Sequence, residues 1–111
     1  MHDIIIKVVE LLKLKKPYKI VLKSTIGKNA AEYFGMYRKN GLCGHTIRIS
    51  VNNLASDSRC INTLIVHEFI HAWQEEVGLT EVHGPYFKKM AKILAEEFNL
   101  PRIYLKNADK P

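Results

Sequence analysis

The stretch from Arg59 to about Val77 constrains this chain more than any other part of it. Leu64, Phe69 and Trp73 stand among Ile61, Ile65, Ile70 and Val77, so apolar side chains surround nearly the whole cylinder of the helix they predict. A helix of that kind belongs at the centre of a fold. Gly78 is a natural terminator just beyond it, and Ser56, Asp57 and Ser58 are available ahead of it as N-caps. Inside this apolar run stand His67-Glu68-Phe69-Ile70-His71. Buried polar groups are costly when unpaired, so two histidines and a glutamate sunk in such a helix need partners. A metal ion satisfies all three.

The spacing has a geometric reason. Four residues of α-helix turn about 400°, which sets His67 and His71 on one face about 6 Å apart along the axis. Two imidazoles so placed reach one Zn²⁺ at about 2.0–2.1 Å. Glu68 lies beside that face and is the candidate catalytic base. Zinc would lower the pKa of a bound water toward about 7. Glu68 would take the water's proton as a peptide carbonyl is attacked, and return it to the departing amine. A catalytic zinc takes a third protein ligand and keeps a fourth position open. The downstream candidates are His83, Glu81, Glu96 and Glu97. His83 precedes Gly84-Pro85 at the mouth of the next helix, a fixed point, whereas Glu96 and Glu97 lie far along that helix. The longer pattern H-E-x-x-H-x-x-G-x-x-H is absent, because Gln74 and Val77 occupy the positions of its glycine and third histidine.

The remaining elements predict an α+β domain spanning residues 1–111. Ile5, Val8, Val9 and Leu12 have helical spacing within residues 2–14, and Lys15, Lys16 and Pro17 end that helix. Tyr18 to Ser24 alternates as a strand. Residues 31–38 and 46–51 are rich in aromatic and β-branched types and flank a loop, Lys39 to His45, with an Asn-Gly turn signal; they read as an antiparallel hairpin. The sheet is therefore small and mainly antiparallel. Pro85 opens a last helix whose apolar stripe is Phe87, Met90, Ala91, Leu94 and Phe98, and Pro101 stops it.

Charge is unevenly spread in a chain of net charge +6: residues 1–60 hold 11 Lys or Arg against 4 Asp or Glu, and residues 61–111 hold 6 against 7. The basic half is either a solubilising surface or a contact for an anionic partner, nucleic acid being the usual one. In the second case removal of Lys13, Lys15 and Lys16 together would weaken binding to single-stranded DNA and its salt dependence. Cys43 and Cys60 form no C-x-x-C pair, which excludes a cysteine-based zinc finger and fits free thiols in a reducing compartment. Ile4, Ile5 and Ile6 are quickly interrupted by Lys7 and Glu10, so the N-terminus does not read as a signal peptide. No apolar run approaches the roughly 20 residues that cross a bilayer. A cytoplasmic location with no membrane partner is expected.

Several other residues invite attention. His2 reads as an exposed terminal residue and His45 as a surface residue of the hairpin loop. Trp73 reads as core packing. Tyr37 and Tyr86 are candidate hydrogen-bond donors to an oxyanion, against the plainer reading of half-buried tyrosines.

Taken together, Thr63-Leu64, His67-Glu68-Phe69-Ile70-His71-Ala72 and His83-Gly84-Pro85-Tyr86-Phe87 resemble the blocks of the SprT-like zinc metallopeptidases, the family that includes the Spartan proteases. Gly35-Met36-Tyr37-Arg38 and Ile47-Arg48-Ile49-Ser50 resemble the hairpin that precedes that family's active-site helix. The resemblance implies a zincin-like minimal metallopeptidase domain. It implies one zinc per chain on His67, His71 and His83, Glu68 as catalytic base, and a protein substrate bound as an extended strand along the hairpin edge, for which Ile47 to Val51 is the candidate. Many relatives add a C-terminal zinc ribbon that helps bind DNA, and no such cysteines follow here. Two rival schemes remain: a gluzincin-like peptidase with Glu96 or Glu97 as third ligand, and a catalytically silent zinc-containing module on nucleic acid. Glu68 argues against the second, since a structural site needs no general base. A third variant is a latent peptidase whose cleft is covered by residues 101–111.

Overall fold

The computed structural model describes residues 2–25, 27–54, 60–101 and 103. In chain order these form α1 (His2–Leu12), β1 (Tyr18–Lys23), β2 (Ala31–Arg38), β3 (Gly41–Ser50), α2 (Val51–Leu54), α3 (Ile61–Val77) and α4 (Pro85–Glu97). The class is α+β, as the sequence predicts. Among the described residues no helix is long and apolar enough to cross a membrane.

The centre of the molecule is α3. Every residue from Thr63 to Ile70 is buried, on all sides of the helix, which is what an apolar sequence without a polar face requires. It touches β2, β3, α1 and α4. Ile5, Val8 and Leu12 of α1, Ile47 and Ile49 of β3, and Phe87, Ala91 and Leu94 of α4 converge on Ile65, Val66, Phe69 and Ile70 in one core. Phe69 is fully buried and meets Tyr18 edge-on at 5.3 Å between centroids. The α3 helix begins after Cys60; the cap candidates Ser56, Asp57 and Ser58, and Arg59, lie outside the described residues.

All three long helices end in the same way. Lys13 (φ 53°), Gly78 (φ 79°) and Asn99 (φ 52°) take the left-handed conformation. The amides of Leu14, Leu79 and Leu100 then reach back to the carbonyls of Val9, Gln74 and Ala95, the Schellman arrangement. Helix α1 thus stops at Leu12, ahead of Lys15-Lys16-Pro17, and α4 stops at Glu97, ahead of Pro101.

The sheet is mixed, in the order β1-β3-β2. The antiparallel pair, β2 with β3, runs from Ala31↔Ile49 to Arg38↔Gly41, and the parallel pair, β1 with β3, from Tyr18↔His45 to Lys23↔Ser50. This corrects the proposed substrate edge: Ile47 to Ile49 are paired on both sides, Ser50 pairs with β1 while its amide bonds the Ala30 carbonyl, and Val51 already belongs to α2. The physical reason is the distribution of polarity. Ile47 and Ile49 are 0% and 1% exposed and belong inside, while the charged Lys19 and Lys23 of β1 and Glu32 and Arg38 of β2 suit edges. The hairpin turn is also shorter than its glycines suggest. Only Lys39 and Asn40 form the turn. Gly41 follows at φ 106°, Cys43 is the extra residue of a bulge, and Gly44 lets the Pro17 carbonyl approach to within 3.2 Å of where a Cβ would stand.

Candidate metal centre

Helix α3 delivers His67 and His71 from one face, as their spacing dictates, with their Nε2 atoms 3.2 Å apart. The connection from α3 to α4 delivers His83, whose Nε2 lies 3.3 Å from that of His67. That connection is a tight turn in which the Gly84 amide bonds the Glu81 carbonyl. A side chain at Gly84 would bring its Cβ to 2.7 Å from the Glu81 Cβ, so glycine is required where the turn closes beside His83. Pro85 then starts α4 at its first turn.

The donor set fits zinc. The ligand atoms of His67, His71 and His83 all lie within 4.8 Å of one another. Tetrahedral coordination at 2.0–2.1 Å places two ligand nitrogens about 3.3–3.4 Å apart, close to both spacings above. The tautomers fit as well. His71 Nδ1–H donates to Gln74 Oε1 at 2.9 Å, and Gln74 Nε2 donates in turn to the Glu81 carbonyl at 2.9 Å. His67 Nδ1–H faces the Ile103 carbonyl at 3.3 Å. Both rings therefore carry their proton on Nδ1 and turn an Nε2 lone pair inward. Phe87, fully buried, lies against all three imidazoles, with centroids 4.8, 4.8 and 4.9 Å away. It fixes their rotamers by contact.

Glu68 is 6% exposed, and its Oε2 is 3.9 Å from His67 Nε2, adjacent to the cluster and outside the ligand set. A cleft of about 770 Å³ opens over these residues between α3 and β2. Tyr33, Phe34 and Tyr37 line it from β2, and Leu79, Thr80, Val82 and His83 line it from the connection between α3 and α4. Glu81, Glu96 and Glu97 are exposed and do not join the cluster, although the Glu81 carbonyl holds Gln74.

Other sequence candidates fall differently. His45 is not a surface residue: it is 1% exposed on the inner face of β3, with Nδ1 2.6 Å from the Tyr33 hydroxyl and Nε2 2.6 Å from Glu76 Oε2. Its place opposite Gly35 points it toward α3, where Glu76 waits. Tyr37 lines the cleft, but its hydroxyl donates to Glu75. That bond, with burial and the Glu75 charge, raises the phenol above its ordinary range. Tyr86 is 63% exposed and away from the cleft lining. Trp73 packs against the core, as expected. The side chain of His2 and most of the tail from residue 102 lie outside the described residues, but Ile103 is buried.

Sequence reasoning missed Gln74, Phe87 as the floor of the cluster, Tyr33 and the Ile103 carbonyl. Gln74 stands three residues after His71, a spacing that does bring side chains together on a helix, so that signal was present. A backbone carbonyl leaves none.

An α+β domain with three histidines gathered on and beside its central helix defines a class of metallopeptidase-like folds. Residues 13–106 match the model of the SprT-like family, and the chain belongs to that family. Comparison with curated proteins and with solved structures returned no significant match.

Proposed function

We propose that this protein is a zinc-dependent endopeptidase acting on extended segments of protein substrates. The observation that carries the reading is the convergence of three histidine Nε2 atoms at zinc-like spacing beside a buried glutamate in an open cleft. His67, His71 and His83 would hold the ion, which when bound supplies Lewis acidity toward a carbonyl oxygen and a water. Glu68 is the general base. Its carboxylate takes a proton from the attacking water and passes it to the departing amine nitrogen. Gln74, the Ile103 carbonyl and Phe87 keep the imidazoles oriented, so little reorganisation accompanies the reaction.

The substrate would lie along β2. In the strand order β1-β3-β2 the far side of β2 faces the cleft without a neighbouring strand among the described residues, and an extended peptide adds to such an edge through main-chain hydrogen bonds. Membership of the SprT-like family supports the peptidase reading.

The test compares native protein with Glu68→Ala and His83→Ala for zinc content and for cleavage of an unfolded protein such as casein. One zinc in the native protein and in Glu68→Ala, with cleavage by the native protein alone, is expected. Markedly less zinc is expected in His83→Ala. Absence of zinc from reconstituted native protein would refute the reading, and full retention by His83→Ala would move the third ligand elsewhere.

A further inference from the structure

A hydrogen-bonded chain centred on the buried His45 leads from the cleft wall to the connection between α1 and β1, and nothing in the reaction above uses it. The Tyr33 hydroxyl, on the cleft, is 2.6 Å from His45 Nδ1. His45 Nε2 is 2.6 Å from Glu76 Oε2. The Glu76 carboxylate also accepts the backbone amides of Lys15 at 2.7 Å and Lys16 at 3.1 Å. The Tyr33 ring stands 6.4 Å from the His71 ring, centroid to centroid. Gly35 leaves room for it, since a Cβ there would meet the Tyr33 hydroxyl at 3.3 Å and the Tyr37 ring at 3.0 Å.

We propose that Tyr33 is a further catalytic residue, donating a hydrogen bond to the substrate's carbonyl oxygen as negative charge builds there, with His45 and Glu76 as its positioning residues. The inference rests on the peptidase reading. Three N–H groups converge on Glu76, which fixes a proton on His45 Nε2 and turns Nδ1 toward the phenol. With Nε2–H on Glu76, Nδ1 is left as an acceptor and the Tyr33 hydroxyl donates to it in the resting site. As negative charge builds on the substrate oxygen, the hydroxyl turns its proton from Nδ1 to that oxygen, then the stronger acceptor. No covalent bond changes at Tyr33: the O–H stays intact and its hydrogen bond strengthens as the oxyanion forms. Burial, reinforced by the charge of Glu75, holds the Tyr33 phenol above its ordinary range, which favours its protonated form. The other tyrosines are less suited, because the Tyr37 proton is held by the Glu75 carboxylate, a stronger acceptor than an imidazole nitrogen, and Tyr86 lies outside the cleft lining. A hydrogen-bond donor on the cleft wall beside a candidate metal ligand is placed to meet developing charge, and stabilisation of that kind is usually the largest single contribution to acyl transfer.

The experiment uses the zinc-loaded full chain and a phosphinic peptide, in which a PO₂⁻ group replaces the scissile amide and mimics the oxyanion. Native protein, Tyr33→Phe, Glu76→Gln and the double variant are compared for zinc content, melting temperature, phosphinic-peptide affinity, kcat and KM. Tyr33→Phe should keep its zinc, bind the phosphinic peptide at least tenfold more weakly, and lose roughly 10²-fold in kcat with KM little changed. Glu76→Gln should lose less, and add little in the Tyr33→Phe background, because the two act through one hydrogen bond. Phosphinic-peptide affinity and kcat within threefold of native in zinc-loaded Tyr33→Phe would overturn the proposal. Failure of the native zinc protein to bind the phosphinic peptide or to cleave would overturn the peptidase reading, and this inference with it.

Discussion

Replacing Gln74 with alanine tests whether the cluster is a prearranged metal site or a chance gathering of histidines. Gln74 is 4% exposed and makes two hydrogen bonds, accepting from His71 Nδ1 and donating to the Glu81 carbonyl, both at 2.9 Å. The first fixes the tautomer of one candidate ligand. The second ties down the turn that presents another. A typical intramolecular hydrogen bond contributes about 1 kcal/mol net, so removing both costs about 2 kcal/mol, or roughly 30-fold in zinc affinity at 1.4 kcal/mol per decade. That sits within the 10–100-fold range typical of lost partners behind metal ligands. The assay is a competitive zinc titration against a chelator of known affinity, with melting of the zinc-free proteins alongside to separate metal binding from helix packing. Gln74→Glu keeps an acceptor for His71 but loses the donor to Glu81, and should bind zinc less weakly than Gln74→Ala. Zinc affinity of Gln74→Ala within twofold of native would refute the reasoning, for then neither the His71 tautomer nor the Glu81 turn would matter to the metal.

Two further outcomes follow from the same geometry. Lys13 holds φ 53° at the end of α1, a conformation that costs a non-glycine residue about 1–2 kcal/mol; Lys13→Gly should raise the melting temperature by several degrees, and an unchanged or lowered value would count against that cost. At Glu76, burial works against ionisation, but hydrogen bonds from His45 and from the Lys15 and Lys16 amides outweigh it and hold the carboxyl below its ordinary 4.5. A depressed folded-state pKa contributes stability that is present above the unfolded value and is lost as pH falls below about 4.5 through the folded one. Chemical denaturation followed from pH 6 to pH 3 should therefore show a shallower acid loss for Glu76→Gln than for native protein, and parallel curves would exclude the contribution.

Much of the site was legible because it is local. His67 and His71 are one helical turn apart, and the apolar run around them announces burial, so sequence alone predicts two metal ligands on a central helix. The position of His83 before Gly84-Pro85 marked it as a fixed point for the same reason. The sheet order was not legible. Whether β3 is central depends on a parallel pairing with β1, across more than twenty residues, that no periodicity encodes. The glycines at 41 and 44 disguised a strand as a loop, because their roles are a left-handed turn end and a close approach of Pro17. His45 was misjudged with them: once its segment is read as loop, nothing in the sequence points the imidazole inward at Glu76, 31 residues away.

The Ile103 carbonyl that orients His67 gives the site an order of assembly. All three candidate ligands precede it in the chain, the last of them, His83, by some 20 residues. At a synthesis rate of about 5–20 residues per second, that interval is roughly 1–4 seconds. During it the nascent chain contains His67, His71 and His83 but lacks the carbonyl that turns His67 to its metal-binding tautomer. The histidine cluster thus reaches its final form only after residue 103 has been made, so the candidate metal site is completed late, once the elements around it are already in the chain.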